Sequence, residues 1–170
     1  QLTVYQQRNL IKSFDDVSRV AQAMSTSGFF ADSKSAAQAI VKILAGQEMG
    51  FGPFASMSSI YIIDNKPSIG ANLMAAAIKA SNKYDYHITE HTPLACEIAF
   101  FENGKEIGKS RFTIEDATKA GLIAKSTWQK YAKNLLFARS ISNGTRWYCP
   151  DVFNGTTVYT PEELGADVDE

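Results

Sequence analysis

Apolar positions along the chain fall into alternating periodicities. Val17, Val20, Ala21 and Met24 follow three- and four-residue spacing, which predicts an amphipathic helix. Ser13 caps it, and Asp16 three residues on gives the reciprocal partner of a capping box. Ser25 to Asp32 reads as a loop. A second helix is predicted from about Ser33 to Met49, with Ala37, Ile40, Val41 and Leu44 as its buried face and Gly50 as its left-handed stop. Gly52-Pro53 marks a break. Ser59 to Ile63 predicts a short strand, Asp64 to Pro67 a turn, and Ser68-Ile69 a return strand. The run from Ala71 to Ala80 is strongly helical.

Beyond it the period changes to two. Tyr84, Tyr86 and Ile88 alternate with polar residues, so a strand with one buried face is expected. Cys96 to Phe101 and Glu106 to Phe112 are two further strands joined at Asn103-Gly104, a strong hairpin signal. Lys109 and Arg111 then share one face of the last strand. Thr113 and Asp116 open a short helix that Gly121 ends, and Ser126 to Gln129 reads as another capping box. The helix it opens runs towards Arg146, and Pro150 cannot continue it. The order of elements predicts an α+β fold: a single domain with a short antiparallel sheet and a hairpin packed against several helices. Residues 1–153 form the expected core, and 154–170 are an acidic C-terminal tail expected to pack loosely at most.

Composition narrows the class. With 45% hydrophobic and 21% charged residues the chain is globular in character. It has no apolar run long enough to span a membrane and no basic-then-apolar start resembling a signal peptide. Cys96 and Cys149 are expected as free thiols, which fits a reducing cytoplasm. The net charge of −1 conceals an asymmetry. Residues 1–150 carry a net +5, whereas Asp151, Glu162, Glu163, Asp167, Asp169 and Glu170 follow without a cation. Lys105 to Arg146 alone is net +6. A basic body points to an anionic partner, with nucleic acid the commonest; the bland alternative is a solvated surface.

Several chemistries find no support. Gly46 to Gly50 does not lead into a phosphate-binding loop. His87 and His91, four apart on a strand, are spread by about 13 Å, so a metal site is not expected. Neither cysteine has a CxxC partner. Glu97, Glu102 and Glu106 read as solvent-facing strand residues; with Asp116 they are the only acids on which a metal-dependent nuclease would rest.

The last helix carries the sharpest signal. Arg139 and Arg146 are seven apart, hence nearly on one face and about 10.5 Å apart along the axis, a spacing suited to phosphates. Lys130 lies a turn before Lys133, which sits well round the helix from both arginines. Trp147, Tyr148 and Phe153 read first as core, with base stacking as the alternative.

Two blocks resemble the RecT/Beta family of phage single-strand annealing proteins. The first runs from Ala37 through Gly46-Gln47-Glu48-Met49-Gly50-Phe51-Gly52-Pro53 and Ile60-Tyr61-Ile62-Ile63 to Gly70 and the helix after it. The second runs from Trp128 to Arg146, with Ala132 and Asn134 where the family often has Pro and Arg. With the strands between them the blocks cover roughly residues 14–153. The resemblance implies ATP-independent binding of single-stranded DNA and annealing of complementary strands in phage recombination, without covalent chemistry and with no cofactor, Mg2+ at most modulating. It implies a ring or helical homo-oligomer in the cytoplasm of a bacterial host. A phage exonuclease and a host single-strand-binding protein would be partners, and a separate C-terminal partner-binding region would be absent or trimmed. Lys133, Arg139 and Arg146 fall on the family's DNA-contacting positions; Lys109, Arg111, Lys66 and Lys130 are further candidates. A coating protein that blocks pairing, a metal-dependent nuclease and a DNA-mimicking inhibitor are the other classes.

Overall fold

A computed structural model of the chain describes residues 11–166. The chain divides into two compact units, Gln1–Tyr61 and Ile62–Glu170. The first holds three helices: α1 (Phe14–Thr26), α2 (Ala36–Glu48) and α3 (Pro53–Ser59). Ser13 caps α1 by accepting from the Asp16 N–H, and Ser35 with Gln38 forms a full capping box on α2. Val17, Ala21, Phe30, Ala39, Ile43 and Met57 make the core of this unit.

The buried stripe of α2 is Ala39, Lys42, Ile43 and Gly46, not the face expected; Val41 and Leu44 are exposed. The helix is apolar almost all round, so periodicity offers two stripes, and two local constraints choose between them. Gly46 is one. A Cβ there would lie 1.8 Å from Ser56 Oγ, so only glycine lets α3 approach this closely. Lys42 is the other. Its buried ammonium donates to Asp32 at 2.8 Å and to the Met57 carbonyl at 2.9 Å, which satisfies a charge that burial alone would penalise. Gly52-Pro53, expected only as a break, opens α3, because proline fits the first helical position.

β1 (Ile60–Ile63) and β2 (Lys66–Ile69) form a two-stranded sheet around Asp64 and Asn65, both at positive φ. The second unit continues with α4 (Ala71–Ala80), then β3 (Tyr84–His91), β4 (Ala95–Glu102) and β5 (Lys105–Thr113) in an antiparallel sheet of that order. Asn103 and Gly104, at φ 49° and 80°, turn β4 into β5 as the dipeptide predicts. Tyr84 is buried as expected, but Ile88 is exposed, where the register shifts between Ile88 and Glu90. α5 (Ile114–Lys119) has the Thr113–Asp116 capping box.

α6 (Ser126–Tyr148) packs on β4 and β5, with α4 beside it. The helix approaches the sheet at two glycines. A Cβ on Gly144 would meet the Phe100 ring at 2.1 Å, and one on Gly108 the Tyr148 ring at 2.3 Å. The predicted capping box at Ser126 is absent: Lys125 occupies the N-cap and no side chain closes it. The fold is thus α+β, with a small antiparallel sheet packed against helices.

Residues 154–166 are not loose; the rest of the expected acidic tail, 167–170, lies outside the described residues. Short 3₁₀ turns cover Pro150–Phe153 and Pro161–Leu164, and Phe153, Val158 and Thr160 are buried. Tyr159 bridges Ser68 in parallel register, and its carbonyl accepts from the Ile69 N–H at 2.9 Å. A small hydrophobic set, Val158 among acids and threonines, escapes a composition count yet suffices to anchor the strand.

Candidate nucleic-acid interface

The seven cations singled out by sequence fall into three environments. Arg139 and Arg146 do share a face of α6, and both reach the same group. Glu163 Oε1 lies 3.2 Å from Arg139 Nη1 and 2.8 Å from Arg146 Nη2. The Glu163 side chain is 4% exposed, those of Arg139 and Arg146 23% and 20%. Arg146 also donates to the Val158 carbonyl at 3.0 Å, to Asn143 Oδ1 at 2.7 Å and to Ser142 Oγ, and lies over the Tyr159 ring. Its fork is therefore filled within the chain, in the bidentate manner by which arginine takes a phosphate. Arg139 lies over Phe112, and its Nε is buried without a partner. Burial pushes the Glu163 carboxyl pKa up. Hydrogen bonds from Arg146, from the Ser142 hydroxyl and from the Thr160 N–H outweigh that and hold it below the usual range. Sequence spacing aligned the two arginines correctly; the carboxylate they share comes from the tail that composition set aside.

Lys109 and Arg111 also share a face, as the two-residue period requires, but β3 and β4 supply counter-charges. Lys109 Nζ lies 3.2 Å from Glu97 Oε1, and Arg111 pairs with Glu90. The Thr89 hydroxyl and Lys109 hold the Glu97 carboxyl below its usual pKa. These pairs are solvent-exposed, so each is weak and can be exchanged for another anion.

Lys66, Lys130 and Lys133 form the third group. All three are exposed, and among the described residues none makes an ion pair or side-chain hydrogen bond. Lys130 and Lys133 flank a discontinuity in α6 at Tyr131, whose φ of −128° and ψ of 31° are non-helical. The expected helix thus runs as two segments. His91, at the end of β3, donates from Nε2 to the Lys133 carbonyl at 3.0 Å, a carbonyl being able only to accept. Neither His91 nor Tyr131 was distinguishable in sequence. Their role follows from a break that normally announces itself by proline, and residue 132 is alanine.

Among the aromatics, Phe153 is core, Tyr148 is half-buried with its hydroxyl donating to the Lys109 carbonyl at 3.1 Å, and Trp147 is exposed. The acids of a nuclease reading are dispersed into other work. Glu97 pairs with Lys109, Glu102 with Lys83, and Asp116 caps α5. Among the described residues no three of His, Cys, Asp or Glu lie close enough to hold a metal ion. Cys96 and Cys149 are free and buried, and burial pushes the Cys149 thiol up to about 12. A cleft of about 90 Å³ beside Arg146 and Cys149 is well below the roughly 300 Å³ of a small-molecule pocket. Among the described residues no helix is long and apolar enough to cross a membrane. No family model, no curated protein and no solved structure matches the chain.

Proposed function

We propose that the chain binds single-stranded DNA and pairs it with its complement without nucleotide hydrolysis, working as a homo-oligomer. The observation that carries the reading is the pair of unpartnered lysines, Lys130 and Lys133, at the break in α6, in a segment of net +6. It is supported by the sequence resemblance in the Trp128–Arg146 block. Lysines with no internal counter-ion release bound ions when phosphate replaces them, which is the main drive for binding a polyanion. Annealing asks for no bond to be made or broken by the protein. It asks that the mutual repulsion of two strands be screened while base edges stay available. Lys66, Lys109 and Arg111 serve as secondary contacts, the last two by exchanging exposed carboxylates for phosphate. Arg139 and Arg146 instead frame the site, because Glu163 occupies them.

The test is annealing of two complementary fluorescent oligonucleotides without nucleotide or metal, comparing the parent with Lys130→Ala/Lys133→Ala. Acceleration by the parent is expected, with single-strand affinity lower in the variant and its salt slope shallower by about 1.4, two phosphate contacts at roughly 0.7 each. A parent that slows pairing while binding single strands is a coating protein. Cleavage that appears when Mg2+ is added and is abolished by chelator would instead reveal a nuclease.

A further inference from the structure

In a regular helix Tyr131, three residues after Trp128 and four before Leu135, lies on the face those two share. Trp128 and Leu135 are 3% and 4% exposed, so a continuous α6 would direct the tyrosine ring inward. The chain does otherwise. At Tyr131 alone α6 leaves helical geometry, and the residue is 42% exposed. Its hydroxyl and ring make no hydrogen bond or ring contact among the described residues. Burial of an aromatic ring is a large favourable term, and this segment forgoes part of it.

Proline and glycine, the usual causes of a helix break, are both absent from Lys130-Tyr131-Ala132. The break is braced from outside the helix instead. His91 holds the Lys133 carbonyl, and its ring lies 6.1 Å from that of Phe137. The outward tyrosine is therefore set against the end of β3 as well as by its own helix, and the cations on either side of it are free.

We propose that Tyr131 is a stacking platform for an unpaired base, with the Lys130 and Lys133 ammonium groups taking the phosphates on either side. The proposal rests on the single-strand-binding reading above and adds the residue that touches the base. An exposed aromatic between unneutralised cations suits a strand whose bases are unpaired, because every base offers a π-face and none need be identified. Trp147, the other exposed aromatic of α6, lacks this setting: its neighbour Arg146 is already filled by Glu163.

The experiment compares two fluorescent strands of equal length by anisotropy, one carrying bases and one abasic throughout, so that phosphates match and only bases differ. The parent should prefer the base-bearing strand. Tyr131→Ala should weaken that strand about 5- to 150-fold and spare the abasic one, with the salt slope unaltered. Tyr131→Phe should recover the loss, since the ring and not the hydroxyl stacks. Should Tyr131→Ala prove unfolded by circular dichroism, Tyr131→Trp decides. Its emission must be quenched by the base-bearing strand well beyond the quenching seen in the parent. A parent that binds both strands equally, a folded Tyr131→Ala with parental affinity, or an unquenched tryptophan overturns the stacking role and leaves DNA binding standing. A parent that binds neither strand at low salt overturns both.

Discussion

Glu163→Gln removes one charge from a group that two guanidiniums share. The Glu163 side chain is 4% exposed, and its oxygens accept from Arg146, Ser142 and Thr160 while lying within 3.2 Å of Arg139. Removing one partner of a buried ion pair costs about 3–5 kcal/mol, because the charges left behind have no counter-ion. Arg139 and Arg146 retain 23% and 20% exposure and can draw some water, and glutamine keeps an acceptor, so the lower end, about 3 kcal/mol, applies. Both tryptophans, Trp128 and Trp147, lie in the unit that holds this network, so their fluorescence during urea unfolding reports on it alone. With a slope of about 2 kcal/mol/M the midpoint should fall by roughly 1.5 M at pH 7. The pH dependence has a definite sign. The folded carboxyl titrates below its usual 4.5, so its stabilisation is complete above that value. It is lost as pH falls below 4.5 through the folded value, and the gap between parent and variant must narrow over that interval. A midpoint shift under about 0.3 M at pH 7, or a gap that does not narrow in acid, would refute the argument.

Other outcomes follow from single contacts. Gly144→Ala places a methyl against the buried Phe100 ring at 2.1 Å; overpacking of about 1–3 kcal/mol should exceed the alanine helix preference of about 1, so the thermal midpoint falls, and a rise would refute the contact. Ala132→Pro follows a residue already out of helical geometry, and should stabilise by about 0.4–1 kcal/mol, raising the melting temperature by a few degrees. A loss of about 3 kcal/mol there would mean that the Ala132 N–H is needed in the helix.

Local signals were legible where the chemistry is local. The Asn103-Gly104 turn, the Ser13 and Thr113 caps and the left-handed Gly50 were readable from a few adjacent residues, and the structure has each of them. Signals that depend on a distant partner were not. The buried face of α2 is decided by Gly46 against Ser56 and by Asp32 beneath Lys42, and periodicity knows neither. The Ser126 cap failed because Lys125 reaches the N-cap position first, a matter of how the preceding turn delivers the chain. The break at Tyr131 was invisible because alanine follows it, and the bond that braces it runs from His91 to Lys133, 42 residues apart.

Charge shows the same limit with a functional consequence. The run from Lys105 to Arg146 has nine cations, and a count along the chain treats them alike. Folding does not. Glu90, Glu97 and Glu163 come from outside that run and neutralise Lys109, Arg111, Arg139 and Arg146. Among the described residues, what remains without an ion pair or side-chain hydrogen bond is all lysine, Lys105, Lys119, Lys130 and Lys133, while Lys125 donates to the Gly165 carbonyl at 3.5 Å. The arginines, whose planar forks recognise phosphate most specifically, are spent on carboxylates; the lysines, compact and freely rotating charges, face solvent. A surface of that kind neutralises a backbone without fixing its orientation in detail. Such tolerance suits a protein that must hold strands of any sequence while a second strand selects the pairing. The arrangement also separates two jobs that the sequence runs together. The Glu163 network holds the far half of α6 in place, and on the proposed reading the lysines around its break meet the anion, so variants of the two sets should differ in kind: stability for the first, salt-dependent affinity for the second.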